Sequence, residues 1–209
     1  MYIKFFFIFL TVLLLNKNSL ASISCNQYTE KIAKEYKIPN KLLTSISLVE
    51  SGLKKGNNFV SWPWTLNVSG KSKFFESKDE TISFLKKNYN KKKNIDVGCM
   101  QISLKYHGEN FESFNQLLDP VNNIQYAAKY LRSLYTKHKT WNEAISRYHS
   151  SIPKRKKRYL KKVQDYWSDL RQKKIKTDVV VELDEITKRE RKIKYFRNEF
   201  KKRALLDTI

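Results

Sequence analysis

The stretch Leu42-Leu43-Thr44-Ser45-Ile46-Ser47-Leu48-Val49-Glu50-Ser51-Gly52 (LLTSISLVESG) is the most apolar run inside the chain, and it ends on a carboxylic acid. Leu42, Leu43, Ile46, Val49 and Leu53 recur at helical spacing, so the run predicts a helix with a face turned to a core. Gly52 suits its end. Glu50 falls on or beside the apolar face. Burial disfavours a carboxylate and raises its pKa, and an acid that keeps its proton near neutrality can donate it to a leaving group. Position alone leaves three readings open: a general acid, a buried Glu satisfied by an Arg or an amide, and a helix-end Glu that bends to solvent.

Outward from this run the chain reads as further helices. Tyr28, Ile32, Ala33 and Tyr36 form a stripe before it, and Pro39 suits a first helical turn. Ser77-Lys78-Asp79-Glu80 is a capping box ahead of Ile82, Leu85 and Tyr89. Asp119-Pro120 opens a helix through Ile124, Ala127, Ala128 and Leu131, and Thr140-Trp141-Asn142-Glu143 opens another. Tyr159, Val163 and Trp167 mark one more. Trp62-Pro63-Trp64-Thr65-Leu66-Asn67-Val68 with Ser69-Gly70 reads as a short β-hairpin or an ordered loop. Ile95 to Ser103 is too short and mixed to assign by periodicity. Beyond about Gln172 the core signal fades into an expected linker and then a solvated amphipathic helix.

The chain has 209 residues, with Lys+Arg 42 against Asp+Glu 20 and a net charge of +22. That length suits one domain with extensions. Only 5 Gly and 4 Pro favour helices over a turn-rich β fold. Residues 1–21 have the order of a secretory signal peptide: Lys4, an apolar run from Phe5 to Leu15, and small residues at Ser19 and Ala21. The run falls short of the roughly 20 residues of a permanent span, the alternative being an uncleaved anchor. Ser22-Ile23-Ser24-Cys25 lacks the large aliphatic residue of a lipoprotein site. Export to the periplasm is the expectation, and it argues against nucleic acid as the partner of the positive charge. In an exported chain Cys25 and Cys99 suggest one disulfide, against two buried thiols.

The order of LVESG (48–52), VGCMQIS (97–103), AAKYLRSL (127–134) and SRYHSS (146–151) resembles the goose-type lysozyme-like family of lytic transglycosylases, in their soluble-type catalytic domain. The resemblance covers about Cys25 to Trp167. It implies a mainly α, lysozyme-like domain over 25–170 with a small β-hairpin or loop insertion, followed by a basic helical extension over 171–209. It also implies cleavage of the MurNAc–GlcNAc β-1,4 bond in peptidoglycan glycan strands, with a 1,6-anhydroMurNAc product. Carried over by position, Glu50 is the catalytic acid and base, and Ser51 hydrogen-bonds near it. Gly98, Met100, Gln101 and Ile102 line the cleft, and Tyr148 stands near the acid. The third motif departs from the family pattern at Arg147, His149 and Ser151. Ser51, Met100, Gln101, Tyr148, His149, Trp64 and Asn67 are the substrate-binding candidates, with Trp62 and Tyr106 as further sugar platforms.

No cofactor or metal is expected, since no zinc-type cluster or phosphate-binding glycine loop appears. One carboxylate suffices for a transglycosylase, whereas a hydrolase uses two. Asp96 is the candidate second carboxylate, with a loop residue bonded to nearby amides as the alternative. A hydrolase of the same bond, or a catalytically lapsed scaffold of an envelope machine, are the rival functions. Residues 154–209 carry about half of the cationic excess. They read as an anchor to an anionic wall or membrane, or as a solvated face. Secretion, pilus or flagellar machinery is a partner class the sequence leaves open.

Overall fold

The computed structural model describes residues 24–90 and 94–206. The signal-peptide reading lies outside them. Helices α1 (Asn26–Glu35) and α2 (Leu42–Ser51) come first. The hairpin β1 (Gly52–Lys55) and β2 (Asn58–Ser61) follows, then β3 (Thr65–Val68) and β4 (Lys71–Phe74). After α3 (Lys78–Asn88) come β5 (Ile95–Val97) and β6 (Ile102–Ser103). The rest is helical: α4 (Leu104–His107), a 3-10 turn, α5 (Phe114–Leu118), α6 (Pro120–His138), α7 (Trp141–His149) and α8 (Pro153–Leu206). The fold is mainly α with small antiparallel sheets, as expected for a lysozyme-like domain.

Helix α2 is buried on nearly every side, from Leu42 through Leu48 and again at Ser51. A helix covered all round belongs at the centre of a domain, and α2 packs against α1, α8 and β2. Its buried hydroxyls are all bonded. Ser45 Oγ donates to Lys41 O at 2.6 Å, and Thr29 and Thr44 share a hydroxyl bond at 2.6 Å between α1 and α2. Thr44 also donates to Glu30, whose Oε2 accepts the Lys41 backbone N–H at 3.3 Å. A carboxylate thus sits at the N-terminus of α2, where the helix dipole favours it. Pro39 does not enter the helix; its carbonyl accepts Leu42 N–H, and Lys41 in the left-handed region forms the N-cap.

Ser77, Asp119 and Thr140 cap α3, α6 and α7, accepting from Glu80, Asn122 and Glu143 N–H. The β content exceeds the single hairpin expected. One sheet is β1–β2; the other has the order β4-β3-β5-β6. Gly52 makes the abrupt switch from α2 to β1 feasible, because a Cβ there would lie 2.2 Å from the Phe59 ring and 2.3 Å from Leu48 O. The expected linker after Gln172 is absent: α8 runs without a break from Pro153 to Leu206. Its first turns dock on the domain through Tyr159, Val163 and Trp167, which anchor the helix that the rest continues.

Between β5 and β6 the chain turns at Gly98–Gln101. Gly98 has φ +80, and a Cβ would meet Asn123 Nδ2 at 2.7 Å, so only glycine fits. Asn123 of α6 is fully buried and uses both ends of its amide. Nδ2 donates to Val97 O and Leu117 O, each at 3.0 Å, and Oδ1 accepts Met100 N–H at 2.9 Å. Cys25 and Cys99 form a disulfide that ties the start of α1 to the same turn.

Asn123→Ala would strand three buried backbone groups, at a cost of about 1–3 kcal/mol for each group left unpaired. The variant is expected to lose about 3–5 kcal/mol in urea unfolding. A midpoint within error of wild type would show that the amide does not hold the turn.

Candidate active site

The hydrogen-bond register of the larger sheet sorts its residues onto two faces. Leu66, Val97 and Ile102 pair across β3, β5 and β6 and are buried. The opposite row is Ser72, Asn67, Asp96 and Ser103, one residue from each strand in cross-strand register. All four line a cleft of about 1110 Å³ that also receives Glu50 from α2, Tyr148 and His149 from α7, and Tyr159 from α8. The cleft therefore has a polar sheet wall and a helical wall, with the end of α2 between them.

Glu50 is partly buried, with its carboxyl against Tyr159. The Tyr159 hydroxyl donates to Glu50 Oε1 at 2.6 Å, which leaves Oε2 to carry the acid's proton. Burial raises the pKa to about 7; the Tyr159 bond pulls it down, Asp96 pushes it up and Lys162 pulls it down. Desolvation dominates, so near neutrality the acid is divided between its two protonation states. Asp96 is raised to about 6, also by burial. Ser103, opposite Asp96 on β6, opposes that rise without a full hydrogen bond, as its Oγ has no partner. Two carboxylates with raised pKa values thus face one cleft. Asp96 stands on a strand rather than in a loop.

His149 stacks flat on Tyr159, with ring centroids 4.5 Å apart and planes 3° apart. Burial and then the cations Arg155, Lys162 and Arg158 lower its pKa, so the ring is neutral at pH 7. Tyr148 is bonded through its hydroxyl to Met100 O at 2.8 Å, and its ring lies against Tyr130. Its own pKa is pushed well up by burial and by the nearby Glu50 charge.

Several expected binding residues do other work. Ser51 is buried and outside the cleft lining; its Oγ donates to Ser47 O at 3.1 Å and Cys99 O at 2.8 Å. Ser47 adds a second bond to Cys99 O, so α2 clamps the turn instead of the sugar. Met100 is likewise fully buried, and only its backbone serves the site. Trp64 is 7% exposed and Trp62 6%, both packed in the core just ahead of β3. Trp62 Nε1 donates to Phe75 O, and Lys55 Nζ lies 3.6 Å over its ring. Neither tryptophan is a sugar platform. Gln101 and Asn67 do line the cleft. Gln101 Nε2, however, donates to Gly98 O and Thr65 O, and Asn67 Oδ1 accepts Gly70 N–H in the β3–β4 turn. Tyr106, 67% exposed at the cleft, is the open aromatic face among the proposed platforms.

Tyr159 and Asn123 escaped sequence reading. Tyr159 stood in view as part of the Tyr159–Val163–Trp167 stripe. The available signal was its hydroxyl, since a tyrosine on a buried stripe needs a polar partner.

The Glu50 shift has a sign that can be tested. Its folded pKa of about 7 exceeds the ordinary 4.5, so the folded state holds a proton the unfolded chain releases. Stability from this group is therefore lost as pH rises from 4.5 through 7. Glu50→Gln keeps an acceptor for Tyr159 and removes the charge. It is expected to exceed wild type at pH 8 by up to about 3 kcal/mol, shrinking to under about 1 kcal/mol at pH 5. Melting curves at the two pH values check this; a variant no more stable at pH 8 would mean the ionised carboxylate is not strained.

No curated protein and no solved structure matches the chain. The family model for the transglycosylase SLT domain matches residues 27–170. That span runs from α1 through the docked part of α8 and contains both walls of the cleft. With that match over most of its length, the chain belongs to the transglycosylase SLT domain family.

Proposed function

We propose that the chain is an exported, periplasmic lytic transglycosylase. It cleaves the MurNAc–GlcNAc β-1,4 bond with Glu50 as both acid and base. The family supports peptidoglycan glycan strands as the substrate. The observation that carries the finer reading is the Glu50 carboxyl, bonded by Tyr159 in an open cleft and held near pKa 7.

The protonated Oε2 donates to the glycosidic oxygen as the bond to C1 breaks, releasing the GlcNAc end. The acetamido group of the muramoyl residue stabilises the positive C1. Glu50, now ionised, accepts the proton of the muramoyl C6 hydroxyl, whose oxygen attacks C1 and closes the 1,6-anhydro ring. The acid is restored and no water is consumed. The Tyr159 bond strengthens when its acceptor becomes charged, so it stabilises the carboxylate midway through the reaction. Neutral His149, stacked on Tyr159, keeps that donor in place.

A second reading has one observation in its favour. Asp96 lines the same cleft and could activate a water, which would give hydrolysis. Mass spectrometry of products from purified glycan strands separates the two. Anhydro ends, lost in Glu50→Gln with a fall in rate of at least about 10²-fold, are expected. Reducing ends would favour Asp96-assisted hydrolysis. Activity that survives Glu50→Gln would remove Glu50 from the mechanism, and the absence of any wild-type cleavage would favour the lapsed scaffold.

The basic extension acts, in this reading, as an electrostatic anchor to the anionic wall or membrane surface. Removing residues 174–209 is expected to preserve cleavage of soluble strands and to weaken sedimentation with whole walls at low salt. Loss of cleavage on soluble strands would instead make the extension part of the catalytic fold.

A further inference from the structure

The cationic run at the start of α8 divides by direction. Lys154 and Lys157 are exposed and lie outside the cleft lining. Lys156 Nζ pairs with Glu143 Oε2 at 2.8 Å, which also accepts Arg147 Nε at 2.8 Å. Arg155, Arg158 and Lys162, also exposed, line the cleft, on the helix face that carries Tyr159. Among the described residues none of these three makes an ion pair. Across the cleft the sheet wall offers hydroxyls, an amide and Asp96. Three cations concentrated on one wall, none of them in an ion pair, outnumber the two carboxyls of the cleft, Glu50 and Asp96, and exceed what an uncharged sugar chain requires. They suit a ligand that carries its own anions beside the glycosidic bond.

We propose that Arg155, Arg158 and Lys162 form a subsite for the carboxylates of the peptide stem carried by the muramoyl residue, so that the enzyme selects stem-bearing strands over bare glycan. The proposal rests on the reading of the cleft as a peptidoglycan site. The two arginines offer planar forks suited to carboxylates, with the lysine as a point charge beside them. Phosphodiesters of a wall polymer share this anionic chemistry. The stem is preferred because it is attached to the sugar that must lie next to Glu50, whereas a polymer would be attached elsewhere along the strand.

The test is binding rather than cleavage, with full-length Glu50→Gln protein and soluble strands of matched length. One set carries peptide stems, a second has been stripped by an amidase, and a third is stripped but carries a phosphodiester polymer. At low salt about tenfold tighter binding to stem-bearing than to stripped strands is expected, from a few partly exposed ion pairs acting together. The preference should shrink at high salt. Arg155→Gln/Arg158→Gln in the same background should erase the difference. Lys154→Gln/Lys157→Gln, with equal charge loss outside the cleft, should keep it. The strand comparison needs no folding control, and melting curves serve the double variants. Equal binding to stemmed and stripped strands would overturn the subsite while leaving the enzyme reading intact. A preference that survives Arg155→Gln/Arg158→Gln, or tighter binding to the phosphodiester strands, would overturn the assignment. Failure to bind any strand, with no wild-type cleavage, would remove the peptidoglycan reading itself and the subsite with it.

Discussion

The backbone of Cys99 and Met100 is the point on which the site depends. Cys99 O accepts two hydroxyls from α2, Ser47 and Ser51. Met100 O accepts Tyr148 from α7, and Met100 N–H is taken by Asn123 from α6. The disulfide adds the start of α1 to the same residues. Four helices and the β5–β6 turn therefore meet at two peptide units. Each bond is buried or nearly so, where leaving a partner unmade is costly. The placement of Glu50 beside Tyr148 follows from this meeting point rather than from any single contact of Glu50. A Cβ at residue 98 would push Asn123 away, which is why the glycine in VGCMQIS matters physically.

Glu50 is held at odds with stability. Its surroundings raise its pKa, so the charged form is disfavoured in the fold that positions it. Tyr159 offsets part of that cost with a single short hydrogen bond. The third motif, which departs from the family pattern at His149, is coherent when seen from Tyr159. The imidazole lies parallel to the phenol ring and fills one side of it. A residue that looks like a lapse in the motif is thus packed against the partner of the acid. This weighs against the lapsed-scaffold reading.

Helix α8 joins three physical roles. Tyr159, Val163 and Trp167 bury its inner stripe, and Trp167 Nε1 donates to Asn40 O at 2.8 Å near the start of α2. Phe59 of the β1–β2 hairpin stacks on Tyr166 at 5.9 Å. Arg155, Arg158 and Lys162 turn part of its charge into the cleft. The remainder of the helix, to Leu206, is net positive by sequence. What reads as one basic tail is therefore a structural stripe and a cleft wall on the same turns of helix, followed by an extension.

The sequence by itself determined the longer helices of the domain and several of their caps, and it singled out Glu50 as a carboxyl on an apolar stripe. Ser77, Asp119 and Thr140 act through neighbours three residues away, and Glu50 sits on a stripe whose period is local, so no distant contact is needed to read them. It also carried enough ordered motif to indicate the family. Only the tertiary structure decided what surrounds Glu50. Asp96 faces the cleft because β5 pairs in register with β3 and β6, and a three-residue strand has too few residues to show alternation. Trp64 packs in the core, while Ser51 serves the turn through Cys99 O and Met100 through partners on distant α6 and α7. Tyr159 reaches Glu50 across 109 positions of chain. Local patterns reveal which residues can be buried together, but hydrogen-bond partners so far apart in sequence are fixed only when the helices pack.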